Sequence, residues 1–167
     1  MTDKVDMNSV TISQALRLAK DGSFEKALVL CEPVLREGLD IGSLRSLALV
    51  YSYCGEEKKS YELWGMISRH EEATAGDFYM LGTHQINLGH HTEAINSFKE
   101  GLKIGLHLND ARYEGAIALN LCYLLLIRKD RVEAEGLFKR ISDEDSDFVK
   151  GFGIISKARL LSIFQEP

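Results

Sequence analysis

His84, His90, His91 and His107 are the side chains of this sequence that first suggest a metal site. His90 and His91 are neighbours, so a helix cannot aim both at one centre. No cysteine or carboxylate joins them at ligand spacing, and solvated turn positions account for them. Cys31, Cys54 and Cys122 have neither metal-ligand nor redox spacing and read as buried or half-buried free thiols. The acidic groups Glu56-Glu57, Glu71-Glu72 and Asp143-Glu144-Asp145 fall at expected helix ends. There they complement the positive end of the next helix and stay solvated. A catalytic site needs a nucleophile with its base, or paired carboxylates in a pocket. Neither pattern is present, and no glycine-rich phosphate loop occurs. The expectation is a protein that is not an enzyme, with no metal and no cofactor.

Chemistry being sparse, the sequence must be read for surfaces. Apolar residues make up 45% of the 167, enough for a continuous core, and only Pro33 and Pro167 interrupt long helices. The formal charge of −5 disfavours nucleic acid as a partner and mildly favours a basic one. Residues 1–10 lack the apolar core of a signal peptide. The longest apolar run, 121–127, is too short to span a bilayer. The expected location is cytoplasmic, away from membranes.

Residues 78–102 carry the organising pattern. Phe78, Leu81, Gly82 and Gln85 share one helix face, Gly89 ends that helix, and Ala94, Phe98 and Leu102 line a second helix. Small Gly82 and Ala94 allow close approach, and Phe98 fills the space beside them. The same register recurs along the chain. Ala27, Ser60, Ala94 and Ala134 stand 33, 34 and 40 residues apart, each in a predicted second helix. Twelve residues before each lies Ala15, Ala48, Gly82 or Cys122, and four residues after each lies Cys31, Trp64, Phe98 or Phe138. Gly22, Gly55 and Gly89 close the first three first-helices.

The predicted helices are 8–20 and 24–37, then a pair from Ile41 to Gly55 and over 57–69, then the central pair over 75–104. A fourth pair covers 109–128 and 131–141, with Asn109 or Asp110 as the cap of the first. Pro33 should bend the second helix. Residues 142–147 read as an acidic turn, and a last helix over 146–164 carries Phe148, Phe152, Ile155, Leu160, Leu161 and Phe164. The domain reading is a flexible N-terminus (1–7), four helix pairs (8–141), and an acidic turn with a capping helix (142–167).

Residues 10–141 resemble the tetratricopeptide-repeat (TPR) family, in which helical hairpins of about 34 residues stack in tandem. The sequence departs from it in three places. No repeat ends in the usual proline, Thr11 and Gln14 stand where bulky residues are usual, and the third-to-fourth step is about six residues long near 103–110. The resemblance implies an all-α, right-handed α-solenoid of about four TPR hairpins with a C-terminal capping helix. First helices would line its concave face and hold a partner's peptide or helix. The groove residues would be Ile12 and Leu16, then Arg45, Leu49 and Tyr53, then Tyr79, Thr83, Ile86 and Asn87, then Leu119, Tyr123, Leu126 and Ile127. That surface is apolar and aromatic, suited to a buried anchor from a partner. The family's carboxylate clamp for chaperone tails needs Lys, Asn and Arg where this chain has Ile12, Leu16, Ser46, Gly76 and Met80, so that function is not expected.

The leading expectation is therefore a protein-binding adaptor with a protein or peptide partner. A dedicated chaperone or immunity-type inhibitor of a secreted protein or toxin also fits the length and acidity. So does a structural homo-oligomer, with a homodimer formed through apolar array ends. Residues 119–127 are apolar almost all round and should be buried on two sides, by the capping helix, a partner or a second copy.

Overall fold

The computed structural model describes residues 2–36, 38–149 and 153–165. It divides into two compact units, Met1–Ala73 and Thr74–Pro167.

The first unit holds α1 (Thr2–Lys20), α2 (Phe24–Cys31), a 3-10 turn (Val34–Arg36), α3 (Ile41–Tyr53) and α4 (Glu57–Ile67). Each helix pair closes through a glycine in the left-handed region, Gly22 at φ 79° and Gly55 at φ 75°, which a side chain would strain. Ala15, Ala27, Ala48 and Ser60 are fully enclosed, as the register demands of small contact positions, and Cys31, four residues after Ala27, is enclosed beside them. Ser60 donates its hydroxyl to the Ala48 carbonyl at 3.0 Å, so a polar residue at a small position is satisfied across the pair. Asp40 starts α3 by accepting from the Ser43 amide at 2.9 Å and its hydroxyl at 2.8 Å. Those bonds hold its carboxyl below the usual carboxylate range. Pro33 acts more strongly than a bend. Lacking an amide hydrogen and crowding the preceding turn, it stops α2 at Cys31, and the chain continues as the 3-10 turn.

The second unit holds α5 (Ala75–Asn87), α6 (His91–Leu108), α7 (Glu114–Ile127), α8 (Arg131–Phe138), β1 (Ser146–Val149), β2 (Gly153–Ser156) and α9 (Lys157–Gln165). The Asp77 carboxylate opens α5 by accepting from the Thr74 amide at 2.8 Å and hydroxyl at 2.9 Å. Gly82 sits so close to Phe98 that a Cβ there would lie 2.5 Å from the ring. Buried Phe98 thus fills the space that the missing side chain leaves. The long third-to-fourth step is an extended α6 followed by a loop. Asn109 caps the end of α6 in the left-handed region instead of starting α7. Asp110 is drawn instead to Arg112, whose Nε donates to it at 2.8 Å. The fourth first-helix ends on Lys129 at φ 65°, where the earlier three have glycine.

The last helix differs most from expectation. Only 157–165 is helical, and 146–149 and 153–156 are antiparallel strands that pair Asp147 with Ile155 and Phe148 with Ile154. Alternation explains it. Asp147, Val149 and Ile155 face inward, while Phe148 and Ile154 face out. The β-branched residues favour a pleated surface, and Gly153 at φ 79° cannot continue a helix. Phe152, expected on that helix, lies outside the described residues. Both strands and α9 pack on α7. This covers the second side of α7, and every residue from Ile117 to Leu126 is buried. Phe138 and Phe164 meet edge-to-face at 5.3 Å between centroids, fastening α9 to the last hairpin.

Candidate functional site

The groove residues expected from the register divide by burial. On α1, Leu16 is half-buried, whereas Ile12 is enclosed in the core. On α3, Arg45 and Leu49 are half-buried and Tyr53 is 49% exposed, so this helix does present an apolar and aromatic face. Arg45 is tied down, its Nη2 donating to the Glu72 carbonyl at 2.8 Å. On α5, Tyr79, Thr83 and Asn87 are half-buried, and Thr83 donates its hydroxyl to the Tyr79 carbonyl at 2.9 Å. Ile86, Leu119, Tyr123 and Leu126 are buried. Ile12, Ile86, Leu119, Tyr123 and Leu126 are therefore packing residues here, and a partner could reach them only by displacing their neighbours. Hairpin stacking buries Ile12 and Ile86, and the C-terminal hairpin with α9 shuts off much of the α7 face. Ile127 at the end of α7 remains exposed.

What the structure brings together is a cluster of three polar groups on α5, α7 and β1. Tyr79 donates its hydroxyl to Asp147 Oδ2 at 2.8 Å. Asn120 donates through Nδ2 to the same oxygen at 2.5 Å and to the Ala116 carbonyl at 2.9 Å. The Phe148 amide donates to Asp147 Oδ1 at 2.8 Å. Burial pushes the Tyr79 phenol well above its ordinary value of 10, and the facing Asp147 carboxylate adds to the shift. Tyr79 is thereby held protonated, as a donor. Its ring also lies 5.4 Å from that of Tyr113, centroid to centroid.

Tyr79 is on the face that the register predicts, but neither of its partners is. Asn120 has a visible signal, being the one side-chain amide in the apolar run 117–127. A buried amide demands a partner. Asp147 carries no such mark, because it closes an acidic stretch that looks like a solvated turn. The histidines form no centre. Among the described residues, no three His, Cys, Asp or Glu side chains come together as a ligand set. No described helix is long and apolar enough to cross a membrane.

No protein-family model matches the sequence, and no curated protein matches it either. Solved structures do match in fold. A MamA structure from MSR-1 is 21% identical with TM-score 0.65, covering 80% of this chain and 74% of that one. A Podosopora anserina putative kinesin light chain with nearly identical TPR-like repeats is 17% identical with TM-score 0.66, covering 81% and 73%. YrrB, described as a TPR protein with an unusual peptide-binding site, is 20% identical with TM-score 0.64, covering 86% and 74%. Four helix pairs in register, left-handed glycine closures and these neighbours agree on one architecture: the chain has the fold of tetratricopeptide-repeat helical hairpins.

Proposed function

We propose that this chain is a non-catalytic protein-binding adaptor that receives a partner segment on the faces of its first helices. The observation that carries the reading is the seat of β1. An extended strand already lies against α5 and α7, anchored by side-chain hydrogen bonds and by buried Val149. A surface that holds one extended segment has the shape and donors to hold another. Half-buried Leu16 and Leu49 and exposed Tyr53 supply comparable apolar contact on α1 and α3. The peptide-binding site named for YrrB supports the reading by likeness of fold. Three free cysteines suit a reducing compartment such as the cytoplasm.

The test is affinity purification with mass spectrometry, using the wild type beside Leu49→Arg and Tyr53→Ala. Proteins recovered by the wild type should be lost or reduced at least several-fold with both variants, while far-ultraviolet dichroism stays unchanged. Recovery of the same partners at the same yield would contradict binding at this face.

A further inference from the structure

We propose that Tyr79 and Asn120 form a carboxylate-reading subsite for an extended partner peptide bearing an acidic residue followed two positions later by an aliphatic one, and that β1 is the chain's own occupant of that subsite. The inference rests on the binding-module reading and deepens it, by naming the peptide chemistry and the place it binds.

The donors come from the first helices of two successive hairpins, and the acceptor arrives from 27 and 68 residues away in sequence. Asn120 is 1% exposed and directs its amide to Asp147 and to its own helix. Such a buried amide is costly to leave without an acceptor, so the subsite requires an occupant. Register supplies the rest of the signature. Asp147 enters between the two donors, Phe148 points out at 67% exposure, and Val149 is buried in the α7 core. An acidic side chain, any residue, then an aliphatic side chain is what this face reads. Each inward group faces the helices and each outward group faces solvent, which is how an extended peptide presents alternate side chains.

The occupant is built to be exchangeable. Its strands are four residues each, and so short a hairpin owes its stability to the helices beneath it, where Val149 and Ile155 are buried. Outward Phe148 and Ile154 pair with each other across the strands and stay largely exposed, at 67% and 64%. Among the described residues, the Asp147 side chain accepts from a phenol and two amides, neutral donors all, and no bidentate guanidinium locks it in place. A partner strand offering the same acid and a better aliphatic fit can take its place, while the tether keeps the hairpin at high effective concentration as a competitor.

The probe is a fluorescein-labelled synthetic peptide of residues 142–156, SDEDSDFVKGFGIIS, titrated against the full chain by anisotropy. The full chain carrying Asp147→Ala should bind the peptide about tenfold tighter than the wild type, because its own anchor is gone. Adding Tyr79→Phe to that chain should remove the gain, and a peptide carrying Asp147→Ala should bind neither protein. Equal binding by wild type and Asp147→Ala overturns the proposal. So does binding indifferent to Tyr79→Phe, or none by any variant at millimolar peptide. Dichroism on every variant separates loss of fold from loss of site. Failure here together with partner loss in Leu49→Arg would sink the subsite and leave the adaptor reading standing. Peptide binding with partners unaffected by Leu49→Arg and Tyr53→Ala would do the reverse for the α3 face.

Discussion

The first-helix faces of the two units are built by the same rule and finished differently. In the first unit, α3 presents Tyr53 to solvent beside half-buried Leu49. In the second, the corresponding faces of α5 and α7 carry β1, and α7 is buried along ten consecutive residues. The cores beneath are equivalent, with a small residue on each first helix set against a small residue twelve positions later. The difference lies in the segment appended to the last helix pair. Among the described residues the first unit has no β-hairpin, whereas the second supplies its own strand and the acid that anchors it. The helix pairs thus fix a face on which an extended segment lies, and the element appended to the last pair supplies that segment from the chain itself.

The largest expected effect is on the shared core. Gly82→Val should destabilise the second unit by roughly 1–3 kcal/mol, because its side chain must push the buried Phe98 ring aside. Ala48→Val, at the matching position of the first unit, should cost a similar amount. Denaturant unfolding of both variants checks whether the two cores are equivalent.

An effect specific to the second unit comes next. Asp147→Ala leaves Tyr79 and Asn120 without their shared acceptor and should cost about 1–3 kcal/mol in that unit. Hydrogen exchange should show faster exchange of the 146–149 amides and unchanged protection in α1–α4.

Thiol chemistry compares the units along a third axis. Burial raises Cys31 to about 11 in the first unit and Cys122 to about 12 in the second. Half-buried Cys54 is also raised, again mainly by burial. At pH 8 a disulfide reagent should modify Cys54 first, and Cys31 and Cys122 only as the units open. In the unfolded chain these thiols ionise near 9, so between that pH and their folded values the folded chain keeps protons the unfolded chain has lost. Their contribution to stability is whole below pH 9 and fades as pH rises through about 11 and 12, which alkaline unfolding curves would show.

The smallest effect is at the helix closures. Lys129 takes the left-handed conformation that Gly22, Gly55 and Gly89 hold in the other pairs. Lys129→Gly should stabilise the protein by roughly 0.5–1 kcal/mol, read as a raised unfolding midpoint.

Much of the fold is legible in the sequence because its signals are local. The spacing of Ala27, Ser60, Ala94 and Ala134, and the glycines closing three first-helices, report contacts repeated within each hairpin. Pro33 is visible as a perturbation, yet its effect exceeds a bend, since it ends α2 outright. The C-terminal hairpin is not legible. Phe148 and Ile155 fit a helical reading as well as an alternating one, and α5 and α7 decide between them from distant parts of the chain. The site is hidden for the same reason. Tyr79 lies on a predictable helix face, but its partner Asp147 is 68 residues away and looks like part of a solvated acidic turn. Ile86 and Tyr123 fall on the expected helices, yet their burial depends on neighbours that the register alone does not reveal.

The central claim is that β1 is a replaceable occupant of the α5–α7 face. Native-state hydrogen exchange of the wild type beside Tyr79→Phe tests it most directly. The predicted result is that the amides of 146–149 and 153–156 exchange through an opening far easier than global unfolding, that Tyr79→Phe makes it easier still, and that the α7 amides keep their protection. Hairpin amides that exchange only with global unfolding, at the same rate in both proteins, would contradict the claim.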